Sequence, residues 1–184
     1  MNKLLIMYGG PVEEQGARAL GGQYAQGAAE SGAVVRTLAI TDLKFSPVAP
    51  LGARTMDLEP DLAWALEQVQ WADHVAFFCS VSQDTIPSRL KGFFDRLFTP
   101  DKLFGAGSDF TGRSARIVSV LDKAAWAWWQ ETKLPAYHSI KRVVFEHRGF
   151  RPVRTSTVGY LQALDNEYAK KWLGKMTEFG RKLI

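Results

Sequence analysis

One stretch fixes most of what this chain can become: the apolar run His74–Ser80, the polar segment Val81–Pro87 and the amphipathic repeat Ser88–Phe98. An apolar run of this length between polar segments predicts a strand buried on both faces, as in a parallel sheet covered by helices. Leu90, Phe93, Phe94 and Leu97 recur at helical spacing and predict a helix over Pro87–Phe98 with its apolar stripe in the core. In strand–loop–helix units of this kind the ligand sits at the carboxyl end of the strand, where the loop backbone is committed to neither sheet nor helix.

The same alternation runs through the rest of the chain. Strands are predicted at Leu4–Tyr8, Val34–Ile40, Ser114–Leu121 and Val153–Gly159. Helices are predicted at Gly16–Ser31, with Ala17, Leu20, Tyr24 and Ala28 on one stripe, and from Pro60 with Leu62, Leu66 and Val69 inward. Two more are predicted at Tyr137–Arg148, with Ile140, Val143 and Val144 inward and Gly149 as the stop, and at Asn166–Leu183. Thr41–Pro60 reads as irregular, and so does Asp122–Trp129, whose tryptophans show no clear helical stripe. Strands alternating with helices give an α/β class, a doubly wound parallel sheet in one domain over residues 1–184. A truncated dinucleotide-binding fold stays open at this point, weakened because Gly9 and Gly10 do not continue as a G-x-G-x-x-G fingerprint.

Composition excludes several function classes. A net charge of +4 arises from 23 basic residues dispersed among 19 acidic ones, without the basic run that marks a nucleic-acid arm. Cys79 is the only cysteine, so neither an intrachain disulfide nor a cysteine-based zinc cluster can form, and its place in an apolar strand predicts a buried thiol. His74, His138 and His147 lack metal-site spacing, and no metal is expected. No window approaches ~20 apolar residues, so the expectation is a cytoplasmic protein with no membrane or nucleic-acid partner.

The segment Leu90-Lys-Gly-Phe-Phe-Asp-Arg-Leu-Phe98, preceded by Trp71-Ala-Asp73 and an apolar strand, resembles the NAD(P)H:quinone oxidoreductase family of flavodoxin-like, FMN-dependent enzymes. Thr111–Arg116, Lys141-Arg142, Arg151–Arg154 and the tryptophans at 126–129 extend the resemblance over nearly the whole chain. It implies a three-layer α/β/α fold with a five-stranded parallel sheet in the order 2-1-3-4-5, and a homodimer. It also implies FMN with its phosphate in the first loop, at Gly9, Gly10 and Arg18. The flavin ring would lie between the third and fourth loops, at Ser80, Val81, Ser82 and Gln83 and at Asp122, Lys123 and Ala124. NAD(P)H would be the electron donor and a small quinone-like or other electrophilic aromatic molecule the acceptor. Trp126, Trp129 and Phe104 would line the substrate pocket. Lys123 would stabilise negative charge on reduced flavin or quinol oxygen, and His138 would donate a proton to a quinone oxygen.

Both ligand loops depart from the family pattern. Ser80-Val-Ser-Gln-Asp84 stands where the family carries a Pro-x-Trp-Trp-Gly-like segment, and Glu13-Glu-Gln-Gly-Ala-Arg18 lacks the Ser and Asn that meet the phosphate. Two carboxylates in the first turn of the first helix favour its dipole but compete with a dianionic phosphate for the same N–H groups. A second reading therefore stands beside the first: a flavodoxin-fold protein that has lost FMN and binds another aromatic ligand, or does non-redox chemistry, in the same cleft. A third reading makes the tryptophans a dimer interface and the chain an interaction module.

Overall fold

Five parallel strands form one sheet in the order β2-β1-β3-β4-β5. They are β1 (Lys3–Tyr8), β2 (Val34–Ala39), β3 (His74–Val81), β4 (Ser114–Leu121) and β5 (Val153–Val158). This is a computed structural model, and it describes residues 2–10, 13–48, 58–82, 87–98, 110–132, 140–159, 161 and 164–184. The order is the one the resemblance implied, and the strands match the apolar runs to within a residue or two.

Side chains alternate across the sheet because a strand has period two. Leu4, Ile6, Tyr8, Ala76, Phe78, Val118 and Val120 face one way, onto α1 (Gln15–Glu30) and α5 (Glu167–Lys182). Leu5, Met7, Val75, Phe77, Cys79, Ile117 and Leu121 face the other way. There they meet α2 (Pro60–Trp71), α3 (Ser88–Leu97) and α4 (Lys123–Thr132). The central strands are apolar on both faces, whereas edge strands β2 and β5 carry exposed residues such as Arg36, Thr37, Arg154 and Thr155.

Local chemistry sets the helix ends. Asn166 caps α5 by accepting a hydrogen bond from the Ala169 N–H at 2.8 Å, and Arg181 and Lys182 sit in its last turn, where cations favour the dipole. Pro60 opens α2 at a position whose N–H would have no helical partner. Helices α1 and α5 approach closely because each offers a glycine. A Cβ on Gly27 would lie 2.0 Å from the Thr177 carbonyl oxygen, and one on Gly180 would lie 2.0 Å from the Tyr24 carbonyl oxygen.

The family-like segment 90–98 is structural throughout its described contacts. Leu90, Phe93, Phe94, Leu97 and Phe98 are buried, with Phe94 packed edge-on to Phe77 and Phe93. Gly92 lets Pro47 lie against α3, since a Cβ there would stand 2.5 Å from the Pro47 carbonyl oxygen. Arg96, 4% exposed, donates to the Ser46 carbonyl at 2.7 Å and pairs with the Glu59 carboxylate. Burial pushes the Glu59 carboxyl up, but hydrogen bonds from Arg96, its own backbone and Ser46, with the Arg96 charge, outweigh it and hold the group below its ordinary value. The segment thus clamps the start of the irregular 41–60 stretch, whose residues 49–57 lie outside the described ones.

Two expectations are corrected. Residues 123–132 are a helix, not a loop: the Asp122 carboxylate accepts from the Ala125 N–H at 2.8 Å and caps its first turn. Its inward side is Ala125, Trp126 and Trp129, and the 36% exposed Trp128 breaks the apolar contrast that periodicity relies on. The stretch 140–148 is not an α-helix either. Ile140–Phe145 is a π-helix and Glu146–Arg148 a 3-10 turn, closed by Gly149 at φ 94°. The wider π turn buries Ile140 and Phe145 and leaves Val143 67% exposed, so Val143 does not face inward as expected.

Candidate functional site

A cleft of about 260 Å³ opens at the carboxyl ends of the strands. Glu13 and Glu14 before α1 and Gln15 and Gly16 in its first turn form one side, Ser80 from β3, Val120 and Leu121 from β4 and Asp122 just beyond it the floor, and Leu161 beyond β5 the far wall. The position follows from topology. Connections leave β1 and β3 toward opposite faces, and their diverging ends open a crevice at that switch point.

The two sheet strands under the cleft are tied together where they end: the Asp122 N–H donates to the Val81 carbonyl at 3.0 Å. Asp122 also spends one carboxylate oxygen on capping α4. Val120, Leu121 and Leu161 supply apolar surface, and Ser80 and Gln15 a polar edge, a combination suited to a flat aromatic ring with hydrogen-bonding atoms on its rim. Charge is one-sided. Glu13, Glu14 and Asp122 line the cleft, and among the described lining residues there is no lysine or arginine.

Glu14 is the unusual member. Neither it nor Glu13 lies in the first turn of α1 as expected, since the helix begins at Gln15; Glu14 is the N-cap residue, but its side chain does not cap the helix. Instead the carboxyl group folds back over Gly10, its atoms 1.9–2.4 Å from where a Cβ on that residue would be. Only glycine leaves room for it. Glu14 Oε2 is buried and has no hydrogen-bond partner among the described residues. Its charge reaches Cys79, whose thiol is pushed well up by burial, pulled back by the Ser119 hydroxyl and raised again by Glu14. That thiol is inert at neutral pH.

Arg18 does not turn into the cleft. Its guanidinium lies over the Tyr8 ring at 4.1 Å and donates to the Gly10 carbonyl at 3.4 Å, leaving its Nε buried and without a partner among the described residues. Burial raises the Tyr8 phenol, and the Arg18 charge partly opposes this. Gly9 continues the sheet, its N–H bonded to the Phe78 carbonyl at 2.8 Å.

Of the residues singled out from sequence, Ser80 and Asp122 line the cleft, and Gly10 lies beside it beneath the Glu14 carboxylate. Val81 is buried, Ser82 exposed, and Lys123 and Ala124 sit exposed on the first turn of α4. Trp126 and Trp129 stack at 4.8 Å, pack against the core, and bring Trp126 to 3.0 Å from a Cβ position on Gly159. Gln83, Phe104 and His138 lie outside the described residues. Sequence reading missed Gln15, Gly16, Val120, Leu121 and Leu161; an apolar residue after the fifth strand carries no local signal of its role. Among the described residues no group of His, Cys, Asp or Glu is placed to hold a metal ion, and no helix is long and apolar enough to cross a membrane.

Solved structures similar to this chain include Smu.1420 from Streptococcus mutans, with a TM-score of 0.76 and 22% identity, covering 98% of this chain and 99% of that one. An NAD(P)H:quinone oxidoreductase from Methanothermobacter marburgensis aligns with a TM-score of 0.77 and 18% identity over 98% of this chain and 95% of that one. An FMN-dependent NADH-azoreductase from Bacillus anthracis, solved in complex with FMN, aligns with a TM-score of 0.69 and 13% identity over 100% and 99% of the two chains. No curated protein sequence matches. The family described as "Flavodoxin-like fold" matches residues 2–177, nearly the whole chain, and the protein belongs to that family.

Proposed function

We propose that this protein is an FMN-dependent NAD(P)H oxidoreductase that reduces a quinone-like or other electrophilic aromatic substrate. The observation that carries the reading is the cleft at the β1/β3 switch point, in a chain of flavodoxin-like topology. Similar structures named as quinone oxidoreductases and azoreductases support the reaction class.

The residues fit a flavin at one end better than at the other. Val120, Leu121 and Leu161 give a ring apolar surface, and Ser80 lies at its edge to exchange hydrogen bonds. At the phosphate end the Gly10 cradle is of the kind an anionic group occupies, and the Glu14 carboxylate fills it. A phosphate there requires Glu14 to rotate outward, which breaks no hydrogen bond at its buried Oε2. When bound, FMN supplies two-electron chemistry, accepting a hydride from NAD(P)H and delivering it to the acceptor. The protein's part is to hold the β3 and β4 ends together through Asp122 and Val81, and to shield the ring from water with the apolar walls. Asp122 and Glu13 also keep the cleft negative, which disfavours a fully anionic reduced ring and favours uptake of a proton with the electrons. The expected homodimer belongs to the same reading, and light scattering tests it.

The activity test is NAD(P)H oxidation with a simple quinone, with and without added FMN. FMN-stimulated, quinone-dependent turnover is expected, with loss in Ser80→Trp, which fills the cleft while leaving far-UV circular dichroism unchanged. No turnover in any combination, together with no quenching of flavin fluorescence, contradicts the reading.

A further inference from the structure

We propose that Glu14 is a specificity-determining residue that competes with the cofactor's phosphate, so that FMN is held as a readily exchanged ligand rather than a permanent one. The inference rests on the flavin reading of the cleft and concerns only its phosphate end.

Two independent observations place the competition. The Glu14 carboxylate lies over Gly10, in space that only a residue without a side chain leaves open, at the point where the chain enters the 16-residue helix α1. A glycine-bearing turn running into a helix N-terminus is where phosphates are bound, because unpaired N–H groups and the dipole converge there. Second, the carboxylate is poorly served in that place, with Oε2 buried and unpartnered among the described residues. A carboxylate whose buried oxygen has no donor is one that a better-matched anion can displace. The cation that would welcome the phosphate is parked nearby, since Arg18 Nε is also buried without a partner while its guanidinium lies over Tyr8. No lysine or arginine among the described residues lines the cleft to offset Glu13, Glu14 and Asp122. A dianionic phosphate therefore meets like charge until Glu14 leaves, whereas a flavin lacking the phosphate does not require it to leave at all.

The test compares FMN with riboflavin by quenching of flavin fluorescence in the wild-type protein, Glu14→Gln and Glu14→Ala. The side chain makes no capping hydrogen bond, so both variants keep the fold. The wild type is expected to bind the two flavins within about threefold of each other, and both variants to bind FMN about tenfold more tightly or better with riboflavin unchanged. Flavin binding that is unaffected by either substitution, or strengthened equally for both flavins, overturns the role of Glu14 while leaving the flavin reading intact. Failure of all three proteins to bind either flavin overturns the flavin reading itself, and the proposal with it.

Discussion

The His74 network and the Gly10 turn, at opposite ends of the sheet, treat their buried polar groups differently. At the amino ends of β3 and β4, His74 shares one hydrogen bond with the Tyr24 hydroxyl at 2.8 Å and another with the Ser114 hydroxyl at 2.7 Å. Tyr24 donates in turn to the Ile184 oxygen at 3.1 Å, and Arg116 donates to that oxygen and to Ser156. At the carboxyl ends, Glu14 Oε2 and Arg18 Nε are buried without partners among the described residues. A buried polar group left unpaired costs about 1–3 kcal/mol, so the turn that holds Glu14 and Arg18, unlike the His74 network, is kept at a cost that a ligand able to rearrange it would relieve. The amino end ties strands and helices together, and the carboxyl end carries the cleft.

Removing the centre of the amino-end network is the most severe way to break this contrast. Tyr24→Ala is expected to cost about 3–5 kcal/mol of unfolding free energy in urea, by opening a cavity and stripping His74 and Ile184 of a partner. Flavin affinity of the folded fraction should stay within about twofold, because the cleft lies at the other end of the strands. A comparable loss of flavin binding would mean the two ends are not separate.

The next largest effect comes from pH. Burial, with the charges of Arg116 and Arg154, drives His74 down from 6.5 to about 3. Between those values the unfolded chain binds a proton that the folded chain refuses, so stability is retained above about 6.5 and falls as pH drops toward 3, by at most about 1.4 kcal/mol per pH unit. Urea unfolding at pH 7 and pH 5 should show this slope in the wild type and a shallower one in His74→Gln. Equal slopes would show that His74 does not set the acid response.

The smallest stability effect is expected at the functional end. Glu14→Gln should change unfolding free energy by less than about 0.5 kcal/mol, or raise it, since the buried Oε2 gives up no hydrogen bond and the side chain makes no cap. A loss above about 2 kcal/mol would show that the carboxylate is paired and belongs to the fold.

The same contrast explains what the sequence disclosed. The strands were legible because β3 and β4 are apolar on both faces and stand out as continuous runs, and α3 because its stripe and the Leu90–Phe98 segment coincide. Helix α4 was hidden because tryptophans occupy its exposed and inward sides alike, although the Asp122 cap ahead of two alanines was a usable signal. The π-helix was illegible because its turn departs from the 3.6-residue period by which Val143 was assigned inward. At the site, Glu13 and Glu14 were noticeable as carboxylates in a phosphate-type loop. That Glu14 folds over Gly10, and that Leu161 reaches the same cleft from beyond β5, depends on tertiary approach and leaves no periodic trace.

The most direct test of the division between the two ends is titration of isotope-labelled protein with FMN, followed by amide NMR shifts. Binding at the carboxyl ends predicts that Gly16, Ser80, Leu121 and Asp122 move while Tyr24, His74 and Ser114 stay in place. Shifts centred on the amino-end network, or no shifts at saturating FMN, would contradict it.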